Sequence, residues 1–181
     1  SSGAGWDIAS AVGSTSITIG DWSHIAVVYS GVSYLLFVNG TLVTTVASRT
    51  PIASTFWNNI TLGDATGNGF VGHIDDLKIS SVAKYTGAFT PTQYYLDAST
   101  VLMNTFERSH GSTNFLGSHV FNNSTMYSAL SNAAIEQGKA RFGMSCLRST
   151  GGSLNLYNVP QQLGAWTIEF WIYPFNNVAN Q

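Results

Sequence analysis

Apolar and polar positions alternate along most of this chain, and Gly, Asn, Ser and Pro break the alternation at short intervals. From Trp22 to Tyr29 the period is two: Ile25, Val27 and Tyr29 share one face, while Trp22, His24, Ala26 and Val28 share the other. Tyr34-Leu35-Leu36-Phe37-Val38 follows, then Asn39-Gly40, then Thr41-Leu42-Val43. Asn-Gly between two such runs predicts a type I′ hairpin, because both central residues must take positive φ. Further strands are predicted at 59–62, 70–79, 100–106, 144–148, 153–157 and 166–173, with a short one at Ile17 and Ile19. Only Ser128 to Gln137 carries a helix-compatible pattern. Many short strands between turn residues define an all-β chain, a sandwich or barrel.

The strand at 166–173 is the most apolar. Trp166, Ile168, Phe170 and Ile172 lie on one face, and Thr167, Glu169, Trp171 and Tyr173 on the other. Left unpaired it would template aggregation, so it must join a sheet in this chain or in a neighbour.

Composition narrows the classes. In 181 residues, hydrophobic positions reach 44% and charged ones only 9%, so Ser, Thr, Asn and Gly supply the polar surface. That balance fits secreted and virion β-proteins better than a cytosolic helical enzyme. Seven Lys plus Arg against nine Asp plus Glu give a net charge of −2 and no basic run, so nucleic acid is excluded as a partner. The single Cys146 permits no internal disulfide and reads as a buried small hydrophobe. No apolar run is long enough to span a bilayer. A start at Ser1 without methionine reads as a processed end, a tag remnant or a cut within a longer protein.

Several segments resemble one family. Trp22 to Tyr29 with Phe37-Val38-Asn39-Gly40 is similar to the centre of a laminin G-like, concanavalin A-type domain. Ile60-Thr61-Leu62-Gly63 and Phe70 to Ile79 resemble its closing strands, and Trp166 to Ile172 an early strand. Arg141 to Leu147 and Ser153 to Leu156 resemble the segments just before that strand. The resemblance implies a two-sheet antiparallel jelly-roll sandwich, with its segments in rotated order. Residues 1–95 resemble the C-terminal half of a family domain and residues 96–181 the N-terminal half. The expectation is one sandwich over 1–181, closed as a circular permutant or cut from tandem repeats, with strand 166–173 completing the N-terminal half. Exchange of that strand between chains, giving a swapped dimer or other oligomer, is the rival. Residues 82–91 look like the exit segment of such domains in phage tail and virion proteins.

Sandwich glycosidases need two carboxyl groups on one face, about 5–5.5 Å apart in a retaining enzyme. The nearest pair here, Asp75-Asp76, is adjacent in a strand and predicted to point to opposite faces, one accepting strand-end N–H groups and the other solvated. His24, His73, His110 and His119 lack metal-ligand spacing. No catalytic residue is assigned, and the chain reads as no enzyme.

A lectin-type role needs exposed rings beside amides or carboxylates. Trp6-Asp7 and Trp57-Asn58 are candidates, though each tryptophan reads more readily as a plug at the sandwich edge. Asp64 and Asn68 in a Gly-rich loop are weak Ca²⁺ candidates, the only cofactor suggested, or else a plain turn. Glu169 beside Trp171 and Tyr173 reads either as a glycan platform or as a face covered by loops. The sequons at Asn39, Asn59, Asn122 and Asn123 are short enough to arise by composition. The expected function is a non-catalytic carbohydrate-binding or adhesion module of a larger extracellular or virion protein, with glycans or cell-surface polysaccharide as partners. The alternatives are a structural or assembly repeat without a glycan site and, behind it, a glycoside hydrolase.

Overall fold

The Asn39-Gly40 turn forms as its chemistry demands, with φ of 49° and 76°. It joins β2 (Ser33–Val38) to β3 (Thr41–Ala47), and β2 pairs in turn with β1 (Ser23–Tyr29). The turn also grips β1, because the Asn39 side-chain oxygen accepts the His24 N–H at 2.8 Å while Asn39 N–H donates to the His24 carbonyl at 2.8 Å. The computed structural model describes residues 17–47, 57, 59–63, 69–112, 119–120 and 127–175.

The remaining described strands are β4 (Asn59–Gly63), β5 (Phe70–Ser80), β6 (Thr100–Asn104), β7 (His119–Val120), β8 (Tyr127–Gln137), β9 (Ser145–Tyr157) and β10 (Trp166–Pro174). All pairings are antiparallel, in the order β3-β2-β1-β10-β5-β6-β7. The long β5 turns the sheet into a second layer. Its residues 77–80 pair with β6, whereas residues 70–74 pair with β9, which carries β8 along one edge and β4 on the other. Between the layers lies the main core, in which Trp57, Ile60, Ile135, Leu147, Leu154 and Leu156 meet Trp166, Ile168, Ile74, Leu77, Ile79 and Tyr34. This is the all-β sandwich expected from the alternation.

β10 is inserted between β1 and β5 of its own chain. Its register runs Glu169 opposite Ala26 and Trp171 opposite His24 on one side, and Glu169 opposite Lys78 on the other.

Three local expectations are corrected. Residues 128–137 are a strand, not a helix: β9 offers a ladder along nearly the whole segment, and that pairing outweighs a weak alanine-based helix propensity. The runs at 144–148 and 153–157 are one strand, β9. Ile17 and Ile19 lie outside any strand and are exposed.

Residues 81–99 form a strap whose ends meet through a Ser81 N–H to Ser99 carbonyl bond of 2.8 Å. Phe89 of this strap donates its N–H to the Gly40 carbonyl at 3.0 Å, and a Cβ at Gly40 would collide with the Phe89 backbone. Gly40→Ala therefore combines strained positive φ with displacement of the strap, and is expected to lower stability by about 2 kcal/mol or more. Denaturant unfolding checks this, and an unchanged midpoint would show that the strap does not press on the turn.

Candidate functional site

The outer face of β10 is a buried polar layer. Glu169 is 2% exposed, and its carboxylate accepts the Tyr85 hydroxyl at 2.7 Å with His24 Nε2 at 3.4 Å. Tyr85 stacks on Phe89 at 3.5 Å, and both pack over Ala26, Val28, Leu35 and Phe37. Thr167 ties the strap's first residues to β10, accepting the Lys84 N–H at 2.9 Å and donating to the Val82 carbonyl at 2.8 Å. At the far end, Tyr94 packs on His24, and the indole of Trp171 lies beneath the Arg141 guanidinium at 4.6 Å. Asp97 anchors the strap, taking Lys84 Nζ at 2.6 Å and Lys78 Nζ at 3.0 Å. Burial opposes its charge, but the Lys84 ammonium, Ser99 and Lys78 hold Asp97 well below the usual carboxylate range. Burial, with the Glu169 charge beside it, pushes the Tyr85 hydroxyl well up.

Asp75 and Asp76 are sealed beneath the same cover, at 0% and 1% exposure. A β-bulge opposite Phe170, with Asp76 at φ 43°, breaks the alternation, so that Ile74 and Leu77 both reach the main core. Both carboxylates then turn toward the Tyr94–Trp171 side. Asp75 accepts the N–H groups of Arg141 at 2.8 Å, Phe142 at 3.1 Å and Asp76 at 2.9 Å, and the Tyr94 N–H donates to Asp76. The expectations of opposite faces and of one solvated aspartate are thus corrected. Burial raises Asp75 to about 7 and Asp76 to about 6. Glu107 accepts the Met144 N–H at 3.0 Å. Burial pushes the Cys146 thiol up to about 12, which fits an inert core residue.

A surface depression of about 400 Å³ opens at the edge of this layer, lined by His73, Glu136, Lys139, Arg148, Tyr173 and Phe175 among others. Trp22 does not line it, but backs two of its lining residues, 5.6 Å from the Tyr173 ring and 6.4 Å from His73, while packing against the Tyr94–Met103–Trp171 cluster. His73 Nε2 meets Glu136 Oε2 at 3.0 Å, and Arg148 Nε approaches the same oxygen at 3.5 Å. Desolvation lowers the His73 pKa against the pull of Glu136, so the ring is neutral near pH 7. The His73 hydrogen bond in turn holds Glu136 below its ordinary value and ionised.

The sequence candidates are distributed unevenly. Trp57 is fully buried, edge-on to Trp166 at 5.5 Å, so it is the plug and offers no ring to a sugar. Truncating such a ring costs about 3–5 kcal/mol. Glu169 and Trp171 are brought together, but under the strap, so of their two readings the structure has the covered face, and the glycan platform is corrected. Trp6, Asp7, Asn58, Asp64 and Asn68 lie outside the described residues. Among the described residues no group of three His, Cys, Asp or Glu side chains could hold a metal ion, and no helix is long and apolar enough to cross a membrane. Sequence reasoning missed the depression because Glu136 lay in the supposed helix. The signal was the β1–β10 pairing, whose Ser23–Ile172 register brings Trp22 beside Tyr173.

Residues 1–86 match the family model described as the concanavalin A-like lectin/glucanases superfamily, and the all-β architecture is consistent with that superfamily's jelly-roll sandwich. No curated protein matches the chain.

The raised aspartates make stability fall as pH rises. Their contribution is fully present below the unfolded value near 3.8 and is lost as pH climbs through about 6 and about 7. His73, with its lowered pKa, works in the opposite sense, favouring the fold above its unfolded value. Comparison with Asp76→Asn isolates the first effect, since Asn tolerates positive φ. The fall in melting temperature from pH 5 to pH 8 is expected to be smaller in the variant; parallel profiles would refute it.

Proposed function

We propose that this chain is a non-catalytic carbohydrate-binding module of a larger extracellular or virion protein, and that glycans engage it at the His73–Tyr173–Phe175 depression. The observation carrying this reading is the combination there of partly exposed rings with fixed hydrogen-bonding groups. Tyr173 and Phe175 give the C–H face of a pyranose an apolar wall, while Glu136 and Arg148 meet its hydroxyls. The match of residues 1–86 to a lectin and glucanase superfamily fits the same class of ligand.

The non-catalytic part of the proposal follows from the acids. Asp75 and Asp76 are sealed from substrate, Asp97 holds two lysines, Glu107 caps a turn and Glu169 is bonded to Tyr85. Among the described residues only Glu136 faces the depression, and a glycosidase mechanism needs a pair.

A glycan array probed with calcium and again with chelator tests the reading. Hits are expected to survive chelation, and Tyr173→Ala is expected to weaken the best hit about tenfold or more, equivalent to roughly 1.4 kcal/mol. An array blank in both conditions would reject glycan binding and leave the structural or assembly repeat as the reading.

A further inference from the structure

We propose that the depression selects an acidic sugar, a uronic acid unit whose carboxylate pairs with Arg148 and Lys139. The inference deepens the glycan-binding reading and rests on it. It comes from how the chain's few cations are placed. There are only seven Lys and Arg in a molecule of net charge −2. Lys78 and Lys84 are committed to Asp97, and Arg141 lies over Trp171. Two of the others, Lys139 and Arg148, converge on one depression that holds a single carboxylate, Glu136.

With His73 neutral, Glu136 offsets one of these cations and leaves the site with one net positive charge. Arg148 meets Glu136 through Nε, and its side chain remains 51% exposed, so the rest of the guanidinium edge is free to face a ligand. A planar fork of N–H donors matches a carboxylate held flat against it. Lys139 stands exposed on the turn after Gly138, beside the same opening. The aromatic wall fixes the ring that bears the carboxylate, so charge and stacking act on one sugar unit. A densely sulfated chain fits poorly, because it demands the basic run that this sequence lacks. One carboxylate per sugar matches the charge available.

The test is calorimetric titration of the full chain with tetragalacturonate and with its carboxyl-reduced, neutral counterpart. The acidic oligomer is expected to bind about tenfold or more tightly than the neutral one, and raising salt from about 50 to about 500 mM is expected to weaken only the former. Lys139→Gln is expected to lose about tenfold for the acidic oligomer and little for the neutral one, whereas Arg148→Gln is expected to weaken both, the acidic oligomer by about tenfold more. Lys139 is exposed, so its variant keeps the test valid should the Arg148 change disturb folding. Equal or tighter binding of the neutral oligomer would overturn the acidic-sugar inference and leave glycan binding standing. Loss of neither ligand in either variant would overturn it as well. No binding of either oligomer, with hits on the array, rejects the acidic sugar alone; no binding and a blank array reject both readings.

Discussion

Everything else in this molecule depends on the insertion of β10 between β1 and β5. Those two strands lie in the same sheet, yet they never pair with each other. Without β10 each would present an open row of backbone donors and acceptors, and the ladder β3-β2-β1 would be detached from the rest. β10 satisfies both edges and buries a face on each side. Trp166 and Ile168 enter the main core, while Thr167, Glu169 and Trp171 support the strap. A strand with two buried faces must be apolar, and the polar residues it retains must be bonded. That is why Thr167 and Glu169 each hold a strap contact.

The strap converts this demand into the character of the surface. By lying across β1 and β10 it removes Glu169 and Trp171 from solvent, and the cost of burying the Glu169 carboxylate is offset by the Tyr85 hydroxyl. It also closes over Asp75 and Asp76, where desolvation is met by backbone N–H groups and no cation. Burial that backbone N–H groups only partly offset raises carboxyl pKa values, as it does for both of these aspartates. The partly exposed rings of β10 and the residue after it lie at the opposite end of the strand from the junction of the strap's two ends, at Tyr173 and Phe175.

How much of this was legible follows from what alternation can encode. The β2–β3 hairpin was readable because Asn39-Gly40 is a local requirement on φ. The two faces of β10 were readable because period two survives on a regular strand. Asp75 and Asp76 were misread because a bulge is a property of the pairing, opposite Phe170, and leaves no trace in the residues themselves. The segment 128–137 was misread for a related reason, as only β9 reveals it as a strand. The glycan candidates fared as their local context allowed. A tryptophan in a loop, such as Trp57, says nothing of which way it turns, and here Trp166 receives it.

Charge is scarce on this chain, so each cation that stands at the surface carries weight. Where a quarter of residues are charged, two cations beside a depression carry little meaning. Here charged residues are 9% of the chain, and the described acids and lysines away from the depression are bound to strand ends, turns and the strap. Glu136 differs in having a neutral imidazole on one side and a half-exposed guanidinium on the other. Such a carboxylate stays ionised and fixed while the guanidinium retains unused donors, which is the arrangement a polar ligand needs and a purely structural ion pair does not.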